Sequence, residues 1–271
     1  MKVILFYFSA TQNTAKIAHI IRNKLVELNS EIKEYNITSK NDREKEIDIQ
    51  NYDAALFGFP IYALRIPKPA REWLPQINGM DKKCGIFFTY GGVTRGIAHY
   101  ETKKILEQQN FKVIASADFP MSHTYNLGGW KLNANRPNEK DIKIAKEFAE
   151  ILYKRFTSDR NFVFTISKPD FDKIKLKTSK NLVKHGVPPP IFQKENCTQC
   201  EICEDLCPTG AIDINNGVID KRLCIHCFRC IINCPEGALK APDLQRQFQI
   251  FKEMNNLSEE TINNKKSKIL I

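Results

Sequence analysis

Eight of the nine cysteines of this 271-residue chain stand in two short runs, and the second run repeats the first 27 residues later. Each run has two spacers of two residues, then one spacer of three residues, and ends in Cys-Pro. Spacers of two residues let three thiolates reach three iron atoms of one cubane from a single tight loop. The longer spacer and its proline turn the fourth thiolate toward another cluster. The runs are Cys197-x-x-Cys200-x-x-Cys203-x-x-x-Cys207-Pro208 and Cys224-x-x-Cys227-x-x-Cys230-x-x-x-Cys234-Pro235.

This spacing predicts two [4Fe–4S] clusters, each bound by three cysteines of one run and the last cysteine of the other. A pair of structural zinc sites is the alternative. Zinc sites seldom combine two complete four-cysteine runs with these spacers and a following proline. The predicted ligand sets are Cys197, Cys200, Cys203 and Cys234 for the first cluster, and Cys224, Cys227, Cys230 and Cys207 for the second.

The rest of the composition limits where such a chain works. No apolar run approaches the roughly 20 residues that a membrane-spanning helix needs. Polar residues directly follow the short apolar segment at residues 3–8, so we expect a buried strand there and no export signal. Dense cysteine without export indicates metal binding in a reducing compartment, and we expect the cytoplasm of an anaerobe.

The net charge of +10 is spread unevenly along the chain. Residues 1–160 carry +7, residues 161–190 carry +4, residues 191–241 carry −2 and residues 242–271 carry +1. A basic surplus outside the cysteine runs favours an acidic redox protein as partner, or is a solvated surface. Nucleic-acid binding is disfavoured, because few aromatic residues for base stacking accompany the lysines. Those lysines are Lys173, Lys175, Lys177, Lys180 and Lys184.

The first 160 residues alternate short apolar segments with amphipathic ones. Strands are predicted at residues 2–8, 31–36, 52–59, 83–89 and 111–117, and helices at residues 13–28, 97–109 and 139–156. This alternation predicts an α/β fold with a doubly wound, five-stranded parallel sheet. The proline-bearing segment after the third strand, residues 60–69, is predicted to be a loop. Toward the end of the chain we expect a helix at residues 244–254 and a loose tail from residue 263 to residue 271.

Three polar or glycine-bearing loops follow predicted strands, so they meet at the carboxyl edge of the sheet, where such folds bind ligands. The first loop joins hydroxyl side chains to the start of a helix. This favours a phosphate group, although the same residues also cap helices without any ligand. The candidate binding residues are Ser9, Thr11, Gln12, Asn13 and Thr14 in the first loop, Pro60, Ile61 and Tyr62 in the second, and Thr89, Tyr90, Gly91 and Gly92 in the third.

Together these loops resemble those of flavodoxins, and residues 191–241 resemble the bacterial-type two-cluster ferredoxins. The resemblance implies FMN, with its phosphate at the first loop and its isoalloxazine ring between the second and third. It also implies low-potential, one-electron transfer between two clusters. Ala10 and Gln12 stand where glycine is usual in flavodoxins, so a flavodoxin-like domain without flavin is the alternative. The whole chain resembles the ferredoxin–flavodoxin fusion proteins of anaerobic bacteria and archaea.

The resemblance divides the chain into four segments. We expect a flavodoxin-like FMN-binding domain at residues 1–160 and a basic linker at residues 161–190. A small α+β ferredoxin domain with both clusters follows at residues 191–241, and a C-terminal helix and tail occupy residues 242–271.

Two functions fit this architecture. In the first, an electron-transfer protein passes electrons between the clusters, which carry one each, and FMN, which accepts one or two, on behalf of a redox protein partner. In the alternative, FMN reduces a small molecule such as a quinone or a nitro compound. A polar insert at residues 121–137, with His123, Tyr125 and Trp130, either shapes a substrate pocket or covers the ring and packs on the ferredoxin domain.

Two further side chains have simple interpretations. Cys84 lies inside the fourth predicted strand, so it is expected to be a buried small hydrophobic residue and not a ligand. His226 lies inside the second cysteine run. It is interpreted as a surface side chain on a tight loop, with tuning of the adjacent cluster as the alternative.

Overall fold

The computed structural model describes residues 1–168 and 186–271. Most of the predicted basic linker, including the five lysines from Lys173 to Lys184, lies outside these residues. Among the helices that are described, none is both long and apolar enough to cross a membrane.

A parallel sheet forms the centre of the molecule. Its strands pair in the order β5-β4-β3-β1-β2, as the doubly wound prediction requires, with helices on both faces. All five predicted strands are present, and their ends differ from the prediction by at most three residues. The strands are β1 (Lys2–Tyr7), β2 (Glu31–Asn36), β3 (Ala54–Pro60), β4 (Lys83–Tyr90) and β5 (Lys112–Pro120).

The first strand shows why its sequence is apolar without alternation. Ile4 and Phe6 point into one hydrophobic cluster, whereas Val3 and Leu5 point into another on the opposite face. Successive side chains of a strand leave opposite faces, so a strand covered on both sides needs apolar residues at every position. The sheet is therefore the shared wall of two cores.

Helices and short turns connect the strands. The predicted loop at residues 60–69 is wrong at its end, because a helix begins at Lys68 with Pro67 as its N-cap residue. Proline is tolerated in the first helical turn, since the N–H that it lacks has no partner there. The helices are α1 (Asn13–Glu27), α2 (Lys40–Arg43), α3 (Lys68–Trp73), α4 (Ala98–Gln108) and α5 (Glu139–Phe156), with 3₁₀ turns at Leu74–Gln76 and Thr124–Gly128.

The region of the cysteine runs consists of two similar halves. Each half has a cysteine loop followed by a helix of one turn, and short two-residue strands join the halves. Both helices begin after a residue in the left-handed conformation, Glu201 in the first half and Phe228 in the second. The elements are β6 (Ile191–Phe192), α6 (Ile202–Asp205), β7 (Ile212–Asp213), β8 (Val218–Ile219), α7 (Arg229–Asn233) and β9 (Leu239–Lys240).

The chain then returns to the first domain. The predicted helix is present as α8 (Gln245–Asn255), and α9 (Glu259–Asn263) follows it. The prediction of a loose tail is wrong, because β10 (Lys268–Leu270) pairs antiparallel with β5 and adds a sixth strand to the sheet. Polar contacts hold the segment before it, since Ser267 donates to the buried carboxylate of Asp141 at 2.6 Å.

Candidate functional site

A cleft of about 2240 Å³ opens at the carboxyl edge of the parallel sheet. The three predicted loops form one wall, and residues from the cysteine region and from α8 form the other. Of the twelve candidate residues, Gln12 and Gly92 do not line the cleft. The ten that do are Ser9, Thr11, Asn13, Thr14, Pro60, Ile61, Tyr62, Thr89, Tyr90 and Gly91.

The first loop turns its backbone N–H groups toward a ligand. The Ser9 hydroxyl accepts the Ala15 N–H at 3.0 Å, and the hydroxyls of Thr14 and Thr89 pair at 2.8 Å, so these side chains hold the loop in shape. Within the described parts of the chain, the N–H groups of residues 10–14 have no protein acceptor. These N–H groups lie at the start of a 15-residue helix, where the helix dipole favours an anion.

Gln12 departs from the flavodoxin pattern, in which glycine is usual at this position. Its backbone is left-handed, with φ of 64°, and its side chain is exposed outside the cleft. A glycine there meets no steric penalty, whereas a residue with a Cβ is strained. The glutamine therefore strains the loop without filling the space that the N–H groups face.

Replacing Gln12 with Gly is expected to raise the free energy of unfolding by about 0.5–1 kcal/mol. The steric cost of a left-handed backbone at a residue with a Cβ is larger than the conformational entropy that glycine adds to the unfolded chain. Urea unfolding measures this change. Gln12→Ala is the matched control, since alanine keeps the Cβ and the strain. An equal gain from alanine would contradict a backbone origin.

Two tyrosines face the cleft from the second and third loops. Burial raises the pKa of Tyr90 to about 12, and it raises the pKa of Tyr62 well above its usual value. Both phenols therefore stay protonated at neutral pH and can donate hydrogen bonds. Tyr90 is held from behind by Arg95, whose guanidinium lies 5.9 Å from the ring centre and forms a 2.7 Å ion pair with the buried Asp118.

The polar insert after β5 lines the cleft and also packs on the C-terminal segment. His123 and Tyr125 both border the cleft, with ring centres 5.0 Å apart. Burial lowers the pKa of His123 to about 4, so its ring is neutral near pH 7. Its Nδ1 accepts the Tyr125 N–H, which leaves the proton on Nε2. Trp130 also borders the cleft and stacks on Phe248 of α8 with ring centres 4.6 Å apart, so it packs on the C-terminal segment.

Four of the eight run cysteines surround a small cavity of their own. Cys197, Cys200, Cys203 and Cys234 all line it, which is the set that the spacing assigns to the first cluster. Cys200 is exposed to solvent, whereas burial raises the pKa of the Cys203 thiol to about 11. The cavity therefore lies close to the protein surface.

The other four cysteines are close neighbours beside the cleft. Burial raises the pKa of the Cys227 thiol to about 12, and the thiols of Cys207 and Cys224 raise it further. Backbone N–H groups donate to sulfur in this set, as Ala211 does to Cys207 at 3.2 Å. Such bonds stabilise thiolates and adjust cluster potentials. Cys224 itself lines the cleft, so the second set and the three loops face a common space.

The prediction for Cys84 is confirmed, whereas the prediction for His226 is wrong. Cys84 is fully buried and free, as expected. The surface interpretation of His226 is wrong, because the residue is 3% exposed and its Nδ1 donates to the Pro188 carbonyl at 3.2 Å. Its left-handed backbone turns the ring inward, and the sequence carries no signal of that conformation.

Sequence reasoning missed several basic side chains of the cleft. Arg43 follows β2, and Arg65 and Arg71 follow β3, so all three lie beyond carboxyl ends of parallel strands. The rule that ligands bind at this edge was a sufficient signal to include them. Arg43 also donates to the Pro208 carbonyl at 2.5 Å and so joins the first domain to the cysteine region.

Family models match both the first domain and the cysteine region. Residues 4–116 match the model of the flavodoxin domain, and residues 190–213 and 218–239 match models of the 4Fe-4S binding domain. An uncharacterized protein of Methanocaldococcus jannaschii is 37% identical over 160 residues, which are 57% of this chain and 99% of that protein.

Solved structures of flavodoxins are similar at lower identity. An archaeal flavodoxin is 18% identical, with a TM-score of 0.45, and the match covers 58% of this chain and all of that one. Flavodoxin 2 from Bacillus cereus is 17% identical, with a TM-score of 0.44, over 57% of this chain and 99% of that one.

The fold and its cysteine region define a redox protein whose cofactors are FMN and two [4Fe–4S] clusters, with a role in electron transfer. The chain combines an N-terminal flavodoxin domain with two 4Fe-4S motifs in its C-terminal region, which is the arrangement of a flavodoxin–ferredoxin fusion.

Proposed function

We propose that this protein passes electrons between its two [4Fe–4S] clusters and FMN in the cleft, and so couples one-electron and two-electron carriers for an external redox protein. Cys197, Cys200, Cys203 and Cys234 would bind the first cluster, and Cys207, Cys224, Cys227 and Cys230 the second. The observation that carries the proposal is the shared cleft, which both the three loops and the second cysteine run line.

The cleft residues fit FMN. The free N–H groups of residues 10–14 would bind the phosphate, and Thr11 and Asn13 border the same space. Tyr62 and Tyr90 would flank the ring as protonated phenols. When bound, FMN accepts electrons singly or in pairs, which a cluster cannot do.

The two cysteine sets differ in their exposure to solvent. The first cysteine set lies near the surface through Cys200, so an external partner would exchange electrons there. In the second set Cys207, Cys227 and Cys230 are buried, and the neighbouring Phe228 ring contacts Tyr125 with ring centres 5.5 Å apart. In this proposal the second set is the carrier between the surface and the cleft.

An acidic partner is favoured at the cleft rim. Eight basic and three acidic side chains line the cleft, so its field is positive and attracts acidic proteins. The cytoplasm of an anaerobe remains our proposed setting, because exposed clusters need reducing conditions.

The proposal is tested on anaerobically purified protein by iron, sulfide and flavin assays, followed by stepwise reduction watched by absorbance and EPR. We expect about eight iron atoms and one FMN per chain, both reducible. Stopped-flow mixing with a reduced one-electron donor should show cluster reduction before flavin reduction. Clusters that reduce while bound flavin stays oxidised would contradict the coupling, and iron without bindable FMN would contradict the flavin site.

A second candidate, reduction of a small molecule, is supported by the volume of the cleft. About 2240 Å³ exceeds the range of about 300–1,000 Å³ typical of small-ligand sites, so a bound cofactor leaves room beside His123. Steady turnover of a quinone or nitro compound, unaffected by added carrier proteins, would support this candidate. Turnover that requires a carrier would favour electron transfer.

A further inference from the structure

Among the described residues, Arg229 is a buried cation that forms no ion pair. It is 8% exposed, and its Nε and Nη1 atoms have no hydrogen-bond partner in the described parts of the chain. Asp42, the acidic side chain that affects its pKa, is already paired with Lys45 at 2.6 Å. A buried, unpaired guanidinium is costly and keeps its proton, so its presence points to an anion beside it.

The second cysteine set supplies that anion once it binds a cluster. Arg229 lies between Cys227 and Cys230 in the chain, and its backbone N–H donates to the Cys227 sulfur. Cys207 and Tyr62 also lie close enough to affect its pKa, together with Asp42. A cubane with four thiolates is anionic in both oxidation states, and reduction adds one more negative charge.

The internal repeat provides a built-in comparison. Subtracting the 27-residue repeat places Ile202 at the position equivalent to Arg229. The two positions after the third cysteine are Glu204 and Asp205 in the first half, but Ile231 and Ile232 in the second. The first cluster would therefore lie beside carboxylates and the second beside a buried cation.

We propose that Arg229 raises the reduction potential of the second cluster above that of the first, so that electrons entering at the exposed cluster collect beside the cleft. The step moves one electron from the first cluster to the second, without change in bonding or protonation, after an external one-electron donor has reduced the first. A fixed positive charge stabilises the reduced cluster more than the oxidised one, because the reduced cluster is more negative. The inference rests on the proposed cluster ligands.

The test is an EPR-monitored redox titration of the full holoprotein with dithionite. The wild type should show two separate one-electron steps. In Arg229→Gln the higher step should fall by at least 59 mV, a tenfold change in the ratio of reduced to oxidised cluster, while the lower step stays in place. Arg229→Lys should keep both steps. Arg222→Gln is the matched control, because Arg222 lies two residues before Cys224 in the chain but its side chain is 90% exposed.

Several results would overturn the proposal: no shift in Arg229→Gln, an equal shift in Arg222→Gln, or loss of iron from both Arg229 variants, which would indicate a structural role. Ile202→Arg tests the charge effect independently and should raise the lower step; no rise would contradict it. A wild type without two cluster signals would instead contradict the proposed ligands. Two intact signals without a shift would contradict the role of Arg229 alone.

Discussion

Replacing Cys224 with Ala should slow the transfer of electrons from the first cluster to bound FMN by more than about 100-fold, since even the loss of an outer-shell partner of a metal site costs about 10–100-fold. The reason is the position of Cys224 on the proposed path between the first cysteine set and the cleft. Cys224 belongs to the buried set and lines the same cleft as the three flavodoxin loops. Without its thiolate the second cluster is expected to be lost, and the first cluster would have no intermediate carrier to FMN.

Stopped-flow mixing of the oxidised protein with dithionite, followed by flavin absorbance, measures this effect, with iron analysis on the same sample. Cys84→Ala is the matched control, because Cys84 is a buried thiol of the sheet and belongs to neither set. The control should keep about eight iron atoms and the wild-type rate. Unchanged flavin reduction in the Cys224 variant would mean that electrons reach FMN directly.

Trp130→Ala should destabilise the contact between the insert and the C-terminal segment by about 3–5 kcal/mol, the usual cost of truncating a buried large aromatic residue. Trp130 is 6% exposed, stacks on Phe248, and donates from Nε1 to the Leu244 carbonyl at 3.0 Å. Gly128 lies against the same segment, since a Cβ there would come within 2.6 Å of the Pro242 carbonyl oxygen.

Hydrogen exchange of residues 244–253 in wild type and variant measures the change directly. Trp130→Phe is the control, because it keeps a stacked ring and loses only the indole N–H. It should cost about 0.5–1.5 kcal/mol, the usual contribution of one hydrogen bond, because the Leu244 carbonyl still accepts the Phe248 N–H. If the alanine variant exchanges like the wild type, the insert does not anchor this segment.

The sequence was sufficient where the chemistry is local. Cysteine spacing fixes which thiolates reach one cluster from one loop, so both sets could be assigned, and Cys197, Cys200, Cys203 and Cys234 do surround one cavity. Continuous apolar strands are buried on both faces, so the sheet was also predictable. The loops that follow its strands had to meet at one edge.

The sequence was insufficient where distant segments decide. β10 is a three-residue strand, and only its pairing with Ser116, Ala117 and Asp118 makes it one. The inward turn of His226 depends on a left-handed backbone. The helix that begins at Lys68 lies among prolines, and such prolines predict a loop. The burial of Arg229 likewise follows from packing and has no signature in the chain.

The sixth strand has a kinetic consequence. Strands β1 to β5 precede the cysteine region in the chain, and β10, which belongs to the same sheet, follows it. The cysteine region is therefore connected to the sheet at both of its ends. Separate carriers must collide and lose translational freedom before each transfer. In this protein both carriers belong to one chain and need no collision. Electron transfer between the second cluster and FMN should therefore be first order, with a rate constant that does not change on dilution.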